Sequence, residues 1–187
     1  IAKDFTFDNL KIVAQAISDF LNKEEGKIKN KRLKVAVGFD TRFLSREFAQ
    51  AVAEVFAANN ITVMLSDRCI PTPALSFTVK EKRLNLGVMI TASHNPGEFN
   101  GLKIKKSTGG AADVSLTKEV ESLLYKNPLK FIPLEEGQNK NSIEVCDFTE
   151  PYLKFISRYI NFAVLKDKTY KVAVDIMHGS GNGYIKK

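Results

Sequence analysis

The chain has little sulfur and little imidazole. Of its 187 residues only two are cysteine and two are histidine. Cys69 and Cys146 show no metal-ligand spacing, so free thiols are expected, as in an intracellular enzyme. His94 directly follows Ser93, and His178 lies close to the C-terminal end of the sequence. The hydrolase elbow G-x-S-x-G is absent, because the residues around the serine read Thr-Ala-Ser-His-Asn. A Ser-His-Asp hydrolase is therefore disfavoured. No apolar run approaches the length of a membrane span, no secretory signal pattern opens the chain, and neither repeats nor low-complexity tracts occur. A cytoplasmic protein with no membrane partner is expected.

What is present is an ordinary globular composition, with 44% apolar residues and a formal charge of +7. A chain of this size can bury roughly 70% of the surface its unfolded form exposes. The charge admits three readings: a nucleic-acid surface, a solvated lysine-rich surface, or a positive cleft for a phosphorylated substrate. The lysines are interspersed with Asp and Glu and no aromatic-basic cluster stands out, so the solvated surface is preferred and no nucleic-acid partner is expected. A basic polyanion-binding module stays as the alternative of a different class.

Hydrophobic periodicity alternates between strand and helix. Residues 8–25 repeat apolar positions at helical spacing (Leu10, Val13, Ala14, Ile17, Phe20, Leu21), with Asp8 as the expected cap and Gly26 as the expected stop. Leu33 to Gly38, Ile61 to Leu65 and Leu86 to Ala92 read as strands. Ser45 is expected to cap a helix bearing Phe48, Val52, Val55 and Phe56, and Thr72 to cap another that opens with Pro73. Leu102 to Lys105 reads as a fourth strand. Its link to the third is too short for a helical crossover, so it should run antiparallel. The expected fold is a three-layer α/β/α domain with a mixed four-stranded sheet, mostly parallel. Ser115 to Lys126 reads as a helix, residues 135–142 as a polar loop, Thr149 to Asn161 as a helix leading away, and Tyr170 to Asp175 as a strand. The expected division is a domain over 1–148, a linker helix and connection over 149–169, and the incomplete start of a second domain over 170–187.

Ser93 falls where the third strand runs out, the end of an open α/β sheet at which ligands bind. An isolated serine there is most often a turn residue. A phosphoserine would need a cation or backbone donors, since it brings about −1.5 to −2 charges. The antiparallel return should bring Lys103 to the mouth of the serine loop. Asp40 and Arg42 follow the first strand, where an anion is favoured, although a loop-bracing ion pair is the competing role. His178 with Gly179 and Gly181 is like half a phosphate loop, a weak signal.

Thr91-Ala-Ser-His-Asn-Pro96 followed by Asn100-Gly-Leu-Lys103 resembles the phosphoserine loop of the α-D-phosphohexomutases, the phosphoglucomutases and phosphomannomutases. Val37-Gly-Phe-Asp-Thr-Arg42 is similar to that family's G-x-D-x-R stretch, and Val172-Ala-Val-Asp175 with Gly179 and Gly181 to the start of its second domain. The resemblance spans nearly the whole chain but about the first third of a typical member.

The resemblance implies that Ser93 carries a phosphoryl group, donates it to a hexose phosphate, and regains one from the bisphosphate intermediate. It implies Lys103 and His94 as catalytic partners, Asn95 and Arg42 as phosphate or substrate contacts, and Mg2+ bound by Ser93 through its phosphate. Hexose 1,6-bisphosphate is the implied activator. The implied metal loop D-G-D-x-D-R, the sugar loop G-E-x-S-G and the C-terminal phosphate loop do not occur here, so Mg2+ binding and turnover by this chain alone are not expected. Phe39 stands where Arg is frequent. Phosphoglucosamine mutase is the runner-up within the family, ranked lower because its loop more often begins Ser-Ala-Ser. A strand begun at residue 170 without its sheet would leave a pairing edge open to self-association.

Overall fold

The computed structural model describes residues 3–25, 33–166, 169 and 171–185. The chain order is α1 (Phe7–Glu25), β1 (Lys34–Phe39), α2 (Ser45–Ala58), β2 (Thr62–Ser66), α3 (Thr72–Glu81), β3 (Leu86–Ile90), β4 (Leu102–Lys106), α4 (Val114–Ser122), α5 (Leu134–Asn139), β5 (Ile143–Cys146), α6 (Thr149–Ile156) and α7 (Phe162–Leu165). The strands form one sheet in the order β4-β3-β1-β2-β5, with β4 antiparallel to β3 and the other pairs parallel.

The central strands are apolar at nearly every position because both faces are covered. Val35, Val37, Val88 and Ile90 point into a core shared with Leu10 and Ile17 of α1 and Phe48, Val52 and Phe56 of α2. Ala36 and Met89 point the other way, into a smaller cluster with Leu75 and Val79 of α3 and Phe148. The architecture is the expected three-layer α/β/α with a mixed, mostly parallel sheet.

The sheet has five strands rather than four. Residues 135–142, expected as a polar loop, instead form most of α5 and lead into β5. Gly137 lets that helix lie against the new strand: a Cβ there would come within 2.5 Å of the Ile143 side chain. In β5 only Ile143 is fully buried. A short edge strand of this kind has no alternation strong enough to read.

Three expected caps are replaced. Thr6 Oγ1 accepts the Asn9 amide at 3.2 Å, so Thr6 opens α1 and Asp8 lies inside its first turn. Ser45 is the first helical residue of α2, preceded by Leu44 in a left-handed conformation, and its hydroxyl is directed elsewhere. Pro71 precedes α3, and Thr72 is already helical. Gly26 lies outside the described residues. The expected helices over 115–126 and 149–161 are shorter: α4 ends at Ser122, and α6 at Ile156 before a 3-10 turn over Ser157–Tyr159. The expected strand over 170–175 does not form among its described residues, 171–175. Val172 and Val174 are 76% and 52% exposed there, and a strand without a neighbour leaves its backbone hydrogen bonds unmade.

Candidate functional site

The chain leaves β1 toward β2 on one side, then returns through α3 to place β3 on the other side of β1. Parallel strands diverging in this way open a crevice between the loops at their C-terminal ends. Here these are Asp40–Leu44 after β1 and Thr91–Gly101 after β3. The Asp40 amide donates to the Ile90 carbonyl at 3.1 Å and joins the loops at their base.

Ser93 stands at the turn out of β3. Its φ is +60°, the left-handed region that costs an L-residue roughly 1–2 kcal/mol. The strained turn is held from inside. Thr91, 5% exposed, accepts the Ser93 amide on Oγ1 at 2.9 Å and donates its own amide to the Gly101 carbonyl at 2.9 Å. Ser93 itself is exposed, with Oγ 3.3 Å from Nδ1 of His94. The loop closes because Gly101 lies against Thr91, where a Cβ would meet the Thr91 carbonyl oxygen at 3.1 Å.

Arg42 fastens the serine loop to the β1 loop. Its Nη1 donates to the carbonyls of Pro96 (2.7 Å) and Phe99 (3.0 Å), and its Nη2 to those of Ser93 (3.0 Å) and Asn95. Nε faces Asp40 Oδ2 at 3.4 Å. A guanidinium has five N–H donors; here the four on Nη1 and Nη2 bond loop carbonyls, and Nε faces the Asp40 carboxylate. The side chain shapes the loop, with its four Nη donors committed to backbone carbonyls. The competing sequence reading, loop bracing, is the observed arrangement.

A second chain of bonds supports this clamp. Asp40 Oδ1 accepts the Ser45 hydroxyl at 2.9 Å and the Arg42 amide at 3.0 Å. Asn100 Nδ2 donates to Ser45 Oγ at 2.8 Å, and its Oδ1 accepts the Gly101 amide at 2.9 Å. Ser45, Thr91 and Asn100 are positioning residues that sequence reasoning missed. The Asn100-Gly101 turn was the one visible signal. Asn95 is exposed; its amide donates to the Ala92 carbonyl at 3.1 Å.

Lys103 pairs with Met89 across the antiparallel ladder, so the two side chains leave the same sheet face. Met89 lines the cleft in front of Ser93, whereas Lys103 is not among its lining residues. Lys103 instead borders a neighbouring hollow of about 590 Å³ beside α4. The cleft measures about 880 Å³, and its lining includes Asp40, Arg42, Ser93, His94, Asn95 and His178.

Residues 1–130 match the family model described as phosphoglucomutase/phosphomannomutase, alpha/beta/alpha domain I. The chain belongs to this family. A phosphoglucomutase of Staphylococcus saprophyticus is 36% identical over 157 residues, and one of Staphylococcus aureus 34% identical over 151 residues; each match covers 78% of this chain and 27% of the relative. The solved structure of a protein described as a phosphomannomutase of Thermus thermophilus superposes over 99% of this chain and 39% of its own, with 31% identity and a TM-score of 0.82. A Paramecium phosphoglucomutase, parafusin, shares the fold at a TM-score of 0.80 and 23% identity, over 96% of this chain and 37% of its own. The chain thus spans little more than a quarter of the length of the curated relatives it matches.

Other features of this family domain bear on its chemistry. Among the described residues, no group of three or more His, Cys, Asp or Glu side chains could hold a metal ion. No described helix is long and apolar enough to cross a membrane. Cys69 and Cys146 are both free thiols. Burial pushes the Cys146 thiol up to about 12, helped by Glu144, which removes it as a nucleophile near neutrality.

Proposed function

We infer that this chain is the phosphoserine domain of a hexose-phosphate mutase. Ser93 carries the phosphoryl group between the C1 and C6 oxygens of a phosphorylated hexose. The observation that carries this reading is the Ser93 turn: a left-handed serine, braced by Thr91 and Arg42, with its hydroxyl exposed at a cleft of about 880 Å³.

In the forward step the P–O bond to Ser93 breaks as a sugar hydroxyl forms a new P–O bond and loses its proton. The bisphosphate then returns its other phosphoryl group to Ser93. Transfer of this kind depends on positioning and charge stabilisation more than on covalent work by the protein. A braced loop meets the first need, because it fixes where the phosphorus lies. His94 is within reach of Ser93 Oγ to exchange a proton or donate to the bound phosphoryl oxygens. Lys103 and Asn95 are the further candidates for phosphoryl and substrate contact. Lys103 would have to reach along the sheet face it shares with Met89. Mg2+ would be held by Ser93 through its phosphate and would neutralise charge there; as the described residues offer no group of three or more His, Cys, Asp or Glu, its carboxylate ligands would belong to other domains. Residues from 149 onward are read as the connection to a second domain and its opening segment. Hexose 1,6-bisphosphate is the corresponding activator.

The test is made in a longer protein that joins this domain to the remaining domains of a family member. With glucose 1-phosphate, glucose 1,6-bisphosphate and Mg2+, the parent should form glucose 6-phosphate and gain one phosphoryl mass on Ser93. Ser93→Ala should lose both. Undiminished turnover by Ser93→Ala would overturn the reading, and robust turnover by the 187-residue chain alone would overturn the assignment of metal and sugar sites to other domains.

A further inference from the structure

We propose that His178, 85 residues beyond the serine, forms the second wall of the phosphoryl site and supplies, with His94, the positive charge facing the transferred group. The proposal rests on the phosphocarrier reading of Ser93 and adds a residue to it. The chain has two histidines, and both line this one cleft although 84 positions separate them.

The cleft's charges narrow the choice. Among the described residues lining it, Arg42, His94 and His178 are the ones able to carry positive charge. Arg42 has its four Nη donors bound to the loop carbonyls and its Nε facing Asp40. Asp40, the carboxylate in the lining, is turned to Ser45 and Arg42. A phosphoryl dianion entering here needs partners whose donors are not already committed, and the two imidazoles fit that need. Each imidazole carries at least one ring N–H donor.

The segment carrying His178 is shaped and anchored. Asp175 Oδ1 accepts the Met177 amide at 2.8 Å, and the Ile176 carbonyl accepts the Gly179 amide at 2.7 Å. Met177 and His178 both have positive φ, +44° and +60°. Farther along, the Tyr184 hydroxyl lies 2.9 Å from Thr149 Oγ1, and the Tyr184 ring packs edge-on to Tyr152, tying the segment to α6.

Inorganic phosphate is the probe, titrated into the 187-residue chain at one fixed pH while the two imidazole C–H proton resonances are followed by NMR. His94→Gln and His178→Gln assign them by disappearance. Both resonances should move along one saturation curve, and His178→Gln should weaken phosphate binding roughly fivefold. Movement of the His94 resonance alone would overturn the role of His178 and leave the phosphocarrier reading standing. Absence of movement at either histidine would overturn both. Because His178 is exposed, its substitution leaves the core intact, and the wild-type titration reads the outcome without any variant.

Discussion

The guanidinium of Arg42 holds the carbonyl of Ser93 at 3.0 Å, across 51 residues of sequence. The side chain that fixes the serine is thus bound to its backbone, leaving the hydroxyl unobstructed. Rigidity and availability at Ser93 are supplied by separate groups.

Arg42→Ala should lower unfolding stability by about 3 kcal/mol, since several charge-assisted bonds and the loop carbonyls they satisfy are lost together. Arg42→Lys should recover only part of this, because an ammonium offers three donors from one point where the guanidinium offers five from a plane. Urea denaturation of the two variants checks both statements. Equal stability of Lys and Arg at this position would show that the fork geometry is irrelevant.

Stability and chemistry should separate at Ser93. Glycine tolerates φ of +60° without the roughly 1–2 kcal/mol that a Cβ costs there, and gives back about 0.5–1 kcal/mol through greater freedom of the unfolded chain. Ser93→Gly should therefore melt at or slightly above the parent temperature while being unable to carry phosphate. Ser93→Val, β-branched in the same conformation, should be destabilised. A Ser93→Gly protein clearly less stable than the parent would mean that the hydroxyl, not the backbone, holds the turn.

Acid should loosen α4 through Asp113. Its carboxylate accepts from Lys106 Nζ at 2.9 Å, from the Leu116 amide at 3.0 Å and from the Ser115 hydroxyl at 2.8 Å. The Lys106 bond first, then the capped amide, then the Ser115 bond hold it well below the usual carboxylate range. A depressed folded value stabilises the native state above the unfolded value of about 3.9, and that contribution disappears as pH falls from there through the folded value. Asp113→Ala should thus reduce amide protection in α4 at neutral pH, with the difference from the parent shrinking only below about pH 4. Asp113→Asn, which keeps a capping oxygen without the charge, should fall between them. Hydrogen exchange at the two pH values makes the comparison, and a difference unchanged into strong acid would exclude the ionised cap.

Strands β1, β2, β3 and β4 were readable in the residues because each is local: mainly apolar runs in β1, β2 and β3, the alternating Leu102 and Ile104 in β4, turn residues between them, and too few residues between β3 and β4 for a crossover. The position of Ser93 followed from the same pattern, and the family resemblance from its loop. The caps were misread because Asp8, Ser45 and Thr72 each satisfy a local rule that neighbouring backbone conformation overrides, as the left-handed Leu44 does ahead of α2. β5 escaped notice because it is short, mostly exposed and adjacent to a helix with glycine in it.

The sequence by itself determined the alternation of elements, the antiparallel return of β4 and the serine at a strand end, since these depend on periodicity, loop length and turn chemistry within a few residues. The partners of Arg42, the Ser45–Asn100 bond, the hollow that Lys103 borders and the lining of one cleft by both His94 and His178 were decided only in three dimensions. Each depends on how loops from different strands are stacked at the sheet's end, and that stacking is set by strand order, which residue patterns along the chain do not encode.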